Sequence, residues 1–144
     1  MSAAELPNVL VVDDDPVNLQ TFKRVFRKDF RIQVASSGAA GLALLQHHDF
    51  DVALVDFAMP EMNGLELLLR ARTIRPDMGR IIVTGHAGLE EIQEAAASGL
   101  LATVILKPWT DEAIMRWVTH HARLRVMKRE IGKMKASLEE PEPK

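Results

Sequence analysis

The sequence predicts an alternating α/β fold, a doubly wound sheet of five parallel strands with an extended C-terminal helix. Three observations carry that prediction. Short apolar, β-branched runs recur at Val9–Val12, Ile32–Ala35, Val52–Val55, Ile81–Thr84 and Thr103–Leu106, and continuous runs of this length read as strands buried on both faces. The segments between them carry apolar residues at helical spacing. Strict alternation with short links then demands right-handed crossovers, with helices on both faces of the sheet.

Four of the five helices have a start signal of their own. Asp15-Pro16 sets a capping residue before a first-turn proline, and Val17, Phe22, Val25 and Phe26 mark the apolar side of the helix that follows. Ser36 and Ser37 precede the second helix, with Leu42, Leu44 and Leu45, and Asn63-Gly64 turns the chain into the third, with Leu65, Leu68 and Leu69. Ile92, Ala95 and Ala96 belong to the fourth. Thr110 opens the last, with Asp111 and Glu112 at its positive dipole end.

No strong breaker follows until Pro141, so the last helix is expected to run nearly thirty residues, with only its first half packed on a domain of this size. Beyond that, Leu124, Met127, Ile131, Met134 and Leu138 follow the 3-4-3-4 spacing of a coiled-coil seam. Two heptads make a short seam, and Gly132 weakens its helix by about 1 kcal/mol. The organisation expected is a domain over 1–120, a helical extension over 121–138 and a linker-like tail over 139–144.

Composition narrows the function. A chain of 144 residues, 47% apolar and 26% charged, is one domain with a core and a short appendage. It has no cysteine, which excludes a disulfide framework, a zinc-thiolate site and a cysteine nucleophile. No apolar run approaches the ~18–20 residues of a membrane span, and the N-terminus lacks the order of a signal peptide, so a cytoplasmic protein is expected. Residues 1–119 hold 11 Lys/Arg against 16 Asp/Glu, and residues 120–144 hold 7 against 4. The body therefore repels nucleic acid, and the basic stretch Arg123–Lys135 has neither a recognition-helix motif nor interleaved aromatics to bind it. That stretch reads as the solvated face of an output or coiled-coil helix.

Ligand chemistry in such sheets collects at the carboxyl ends of the strands. Standing there are Asp13 and Asp14 after the first strand, Asp56 after the third, Thr84 at the fourth and Lys107 after the fifth. Crowded carboxylates repel unless a cation neutralises them, and Mg²⁺ suits this set because it accepts carboxylates, water and phosphate oxygens together. Lys107 and Thr84 would then serve a phosphoryl oxygen. A carboxylate is also a nucleophile in aspartyl-phosphate chemistry, and Asp56, on the central strand, is the candidate. Three aspartates in the first loop would repel a nucleotide phosphate there, which disfavours a flavin or nucleotide carrier.

The blocks 9–16 (VLVVDDDP), 53–64 (ALVDFAMPEMNG), 81–87 (IIVTGHA) and 106–109 (LKPW) resemble the receiver domain of two-component response regulators, over about residues 7–120. The resemblance implies a flavodoxin-like sheet of order 2-1-3-4-5. It implies Asp56 as phosphoacceptor, and a Mg²⁺ pocket of Asp13, Asp14, Asp56 and the Ala58 carbonyl. It further implies Lys107 paired with the phosphoryl group, Thr84 swinging toward it, and a cis Lys107-Pro108 bond aiming the lysine inward. The partners implied are a sensor histidine kinase or phosphotransfer protein, and a downstream effector protein or attached output domain. A homodimer through the C-terminal helix is a further expectation. The activity implied is that of a signalling switch rather than an enzyme, catalysing only its own phosphorylation and dephosphorylation. The alternative is a receiver-like adapter that is never phosphorylated and works by protein-protein contact.

Two departures stand out. Where the family often has an aromatic that turns inward with the threonine, this chain has Val104, and it contains no Tyr. Ala58 and His86 occupy positions that tune dephosphorylation in relatives. Of the remaining histidines, the adjacent pairs His47-His48 and His120-His121 are unsuited to a shared metal on one helix face.

Overall fold

A computed structural model describes residues 6–101 and 103–139. Five strands, β1 (Asn8–Val12), β2 (Arg31–Ala35), β3 (Val52–Asp56), β4 (Gly79–Thr84) and β5 (Thr103–Leu106), alternate with five helices. The helices are α1 (Pro16–Phe26), α2 (Gly38–His47), α3 (Gly64–Ile74), α4 (Leu89–Ala97) and α5 (Asp111–Glu139). The sheet is wholly parallel with order β2-β1-β3-β4-β5, as the resemblance implied.

Alternation along the strands sorts the core into two layers. Val9, Val11, Val52, Leu54, Ile81 and Val83 face α1 and α5, against Phe22, Phe26, Ile114 and Val118. Leu10, Val12, Ala53, Val55 and Ile82 face the other way, against Leu45, Leu67, Leu68 and Ile92 of α2, α3 and α4. Both faces are therefore covered, which is why the strands read as unbroken apolar runs. The helical pattern of α1 was partly misleading: Leu19, Phe22 and Phe26 are its buried residues, whereas Val17 is 67% exposed. Val17 sits in the first turn, at the rim, beyond the reach of the sheet.

The caps are those expected. Asp15 accepts from the Val17 N–H, Ser37 from that of Ala40, Asn63 from that of Glu66, and Thr110 Oγ1 from that of Ala113. Gly64 is required by space rather than by φ, since a Cβ there would lie 2.6 Å from the Asp56 carbonyl oxygen. That close approach brings the start of α3 under the end of β3.

α5 runs 29 residues, close to the length expected. Its packing continues further than half its length. His121 and Arg125 are buried, and Arg129, a turn beyond, is still paired to the body. Glu139 closes the helix, and the rest of the expected tail, 140–144, lies outside the described residues.

Candidate functional site

The rim at the carboxyl ends of the strands gathers the residues singled out from the sequence. Carboxylate oxygens of Asp13, Asp14 and Asp56 lie within 4.8 Å of one another. Asp13 and Asp56 are buried at 4% and 6% exposure, while Asp14 opens to solvent. Lys107 reaches in from the β5–α5 turn, with Nζ 3.0 Å from Asp56 Oδ1 and 3.6 Å from Asp13 Oδ2. The Lys107-Pro108 peptide is cis, as the resemblance implied.

Asp13 is fixed by bonds that the sequence did not announce. The Asp15 backbone N–H donates to its Oδ1 at 2.9 Å, and Asn18 Nδ2 donates to its Oδ2 at 3.1 Å. Asn18 is the supporting residue that motif reading missed. Its only sequence signal is its place in the first turns of α1, a helix aimed at the rim.

One lysine against three carboxylates leaves the rim short of positive charge. Burial pushes the Asp56 carboxyl above its ordinary value, and Asp13 and Asp14 add to that push while Lys107 opposes it. The Lys107 ammonium, although burial acts against it, is held above its ordinary value by Asp56 and Asp13. Oxygen-only donors carrying surplus negative charge fit a hard divalent cation, so this donor set suits Mg²⁺. Ala58 lies two residues past Asp56 in the exposed loop after β3.

Thr84, 1% exposed at the end of β4, does not point at the acids. Its hydroxyl donates to the Ala87 carbonyl at 2.8 Å, inside the turn that leads to α4. In that turn His86 and Gly88 have positive φ, and a Cβ on Gly88 would lie 2.3 Å from the Phe57 ring. The residue after Asp56 therefore presses on the loop that Thr84 holds. Val104 is half-buried on β5 and Trp109 packs edge-on to Phe22 at 6.3 Å.

A second charged cluster lies at the opposite end of the sheet, where the strands begin. Arg125 donates to Asp51 at 2.7 Å and to Asp49 at 2.6 Å, and its Nε stands 3.5 Å from Asp77 without a formed hydrogen bond. Arg129 donates to Asp77 at 2.9 Å and to Asp49 at 3.2 Å. Asp51 also accepts from the Asn8 N–H. The basic stretch read as a solvated face thus contains two arginines that clasp the body. Beside them the His121 ring, buried, meets Thr103 Oγ1 at 2.8 Å, and Gly79 leaves room for it, since a Cβ there would lie 2.7 Å from His121 Cβ.

A doubly wound five-stranded sheet with an acid triad and a lysine on its rim defines the class, a receiver-type signalling domain. The description of the response regulator receiver domain matches residues 9–119, and the chain belongs to that family. Its relatives include the hydrogenase transcriptional regulatory protein HoxA of Cupriavidus necator, 32% identical over 74% of this chain and 22% of that protein. The alginate biosynthesis transcriptional regulatory protein AlgB of Pseudomonas putida is 29% identical over 94% of this chain and 32% of its own. The chain thus spans a third or less of these curated relatives. Among solved structures, a chain described as adenylate cyclase from Rhodopirellula baltica superposes with a TM-score of 0.87 at 29% identity, covering 91% of this chain and 98% of that one. A CheY-like receiver domain protein from Methanospirillum hungatei gives 0.79 at 29% identity, over 85% and 98%. No helix among the described residues is long and apolar enough to cross a membrane.

Proposed function

We propose that the chain is a phosphorylation-dependent switch of the cytoplasm, with Asp56 as phosphoacceptor in a domain over 1–120 and α5 extending from it over 121–138. The observation that carries the reading is the Lys107–Asp56 pair at 3.0 Å beside three converging carboxylates. Asp13, Asp14, Asp56 and the Ala58 carbonyl would hold Mg²⁺. When bound, the cation supplies charge neutralisation for the carboxylates and for an incoming phosphoryl group.

An Asp56 carboxylate oxygen attacks phosphorus, and the bond from phosphorus to the donor breaks: P–N of a kinase phosphohistidine, or P–O of a small acyl phosphate. The donor leaves with the electron pair of that bond. Lys107 then transfers its ion pair to a phosphoryl oxygen. Thr84 exchanges the Ala87 carbonyl for another phosphoryl oxygen, releasing the 85–88 turn against Phe57. With Val104 in place of an aromatic, this turn is the element left to carry the change to a surface. Water later adds at phosphorus, the phosphorus–carboxylate bond breaks, and inorganic phosphate leaves.

A sensor histidine kinase or phosphotransfer protein supplies the input. The output partner is an effector protein or an attached effector domain, a reading supported by the transcriptional regulators among the relatives. The test is intact-protein mass spectrometry after incubation with acetyl phosphate, with and without Mg²⁺, on the native chain and Asp56→Asn. The expected result is a Mg²⁺-dependent gain of one phosphoryl group, absent in the variant. Uptake retained in Asp56→Asn would overturn the assignment. No uptake, with Trp109 fluorescence blind to Mg²⁺, would favour the unphosphorylated adapter.

A further inference from the structure

The net charge of the body hides a sharp division. Of the 11 Lys/Arg in residues 1–119, five stand within residues 23–31: Lys23, Arg24, Arg27, Lys28 and Arg31, with Asp29 the one acid among them. The remainder of residues 1–119 holds six Lys/Arg against 15 Asp/Glu. All five cations are exposed. Among the described residues none of their side chains forms an ion pair. Elsewhere in the body cations are engaged: Arg75 donates to the Leu45 carbonyl, Arg80 to that of Leu100, and Lys107 pairs with Asp56.

The backbone under this patch is held firmly. Phe22, Phe26 and Phe30 are buried, with ring centroids 4.7–6.5 Å apart. The Phe26 carbonyl accepts from the Asp29 and Phe30 N–H groups, and the Arg31 N–H donates to the Pro7 carbonyl. With the aromatic rings turned inward, the cations between them are left on one corner, where α1 ends and the edge strand β2 begins. Lys23 and Arg24 stand in the last turn of α1 and answer its dipole. Arg27, Lys28 and Arg31 follow the last residue of α1 and exceed what that dipole needs.

The chemistry of the corner separates the polyanions that suit it by charge. Single-stranded nucleic acid wants exposed aromatics to stack on, and a bilayer wants an apolar face to receive; here all three rings are buried. A duplex or a membrane surface also extends past the corner, onto a body with surplus negative charge. A short acidic chain does not. From Lys23 to Arg27 the helix is about 6 Å long, the reach of about two extended residues, so a run of a few carboxylates meets the whole patch. We propose that the corner made by the end of α1 and the start of β2 docks a short acidic segment of a partner protein. It lies at the far end of α1 from Asp13 and Asn18, about 16 Å along the helix, so an occupant leaves the rim open to a phosphoryl donor. Docking needs neither Mg²⁺ nor a phosphoryl group, so its failure and that of the switch are read separately.

The probe is fluorescein-labelled hexaglutamate, titrated with the full chain at low salt without Mg²⁺ and followed by fluorescence anisotropy. The expected result is saturable binding that weakens as salt is raised. Arg27→Glu with Lys28→Glu weakens it about tenfold or more. Arg24→Gln with Arg27→Gln, which keeps good helix formers in place, weakens it severalfold with an unchanged far-UV circular dichroism spectrum. Two reversals of equal charge elsewhere, Arg70→Glu with Arg72→Glu on α3 and Lys128→Glu with Lys135→Glu on α5, leave it within about twofold. No binding at low salt, or equal weakening by all three reversals, would overturn the proposal, the second by reducing the effect to net charge. Loss through the α5 reversal alone would move the site to the distal helix and overturn it equally. Tighter binding to a DNA duplex, or to phosphatidylcholine vesicles containing phosphatidylserine, would overturn it in favour of that polyanion.

Discussion

The two ends of the sheet each hold three aspartates, and they differ in what answers them. At the rim, Asp13, Asp14 and Asp56 cluster beside one lysine, which pairs with Asp13 and Asp56. Where the strands begin, Asp49, Asp51 and Asp77 share two arginines through hydrogen bonds at 2.6–3.2 Å. Lysine offers a point charge, whereas each guanidinium spreads several donors over two or three acids. The first end is left wanting a cation and the second is closed on itself. The same residue type thus makes a reactive pocket in one place and a strut in the other, and the count of positive donors decides which.

The sharpest way to break the contrast is Arg125→Ala. It strips the buried cation from the lower end, and about 3 kcal/mol of stability should go with it, measured by urea denaturation, with phosphoryl uptake retained once the chain is folded. An unchanged midpoint would mean the clasp is ornament. At the rim the opposite sign is expected: adding Mg²⁺ stabilises the fold, by about 2.7 kcal/mol at a hundredfold excess over the dissociation constant. Asp56→Asn, relieved of one carboxylate, should start from a higher melting temperature and respond less to the ion.

Beyond the clasp nothing lies within 4 Å of a Cβ built on Gly132, so Gly132→Ala should add about 1 kcal/mol to the distal helix and raise its far-UV circular dichroism. A loss of helicity would show that the glycine has a neighbour. The smallest effect is in the acid limb of the stability curve. Although partial desolvation acts against it, Asp49 and Asp77 are held below the usual carboxylate value of 3.8 by Arg125 and Arg129. Their contribution is present above that value and fades as pH falls through their lower folded values. Asp56, raised by burial, works the other way: between 3.8 and its folded value the native state binds the extra proton, so stability drops as pH rises there. Asp56→Asn should remove that drop and leave the acid limb to the lower cluster; an unchanged curve in the variant would contradict it.

The rim acids, Thr84 and Lys107 were legible in the sequence because each ends a β-branched run or follows it within two residues, and parallel strands bring such positions together whatever their separation along the chain. The lower cluster was not. Arg125 meets Asp51 and Asp49 across 74 and 76 residues, and no local pattern distinguishes these groups from solvated charges. His121 shows the same limit. Adjacent histidines said nothing of a threonine 18 residues away or of a glycine shaped to admit the ring. Strand ends drifted for a related reason: β3 extends to Asp56 because the Asp56↔Val83 register continues the ladder, which pairing decides and propensity does not.

The clasp also gives α5 a fixed angular zero. A rigid helix held at Arg125 and Arg129 works as an indexing shaft: one residue inserted after Arg129 turns everything downstream by about 100°, whereas an insertion of about four nearly restores the phase and adds about 6 Å of length. Tolerance to changes in length beyond Arg129 should therefore rise and fall with the helical repeat, so that spacing along this segment is counted in turns rather than in residues.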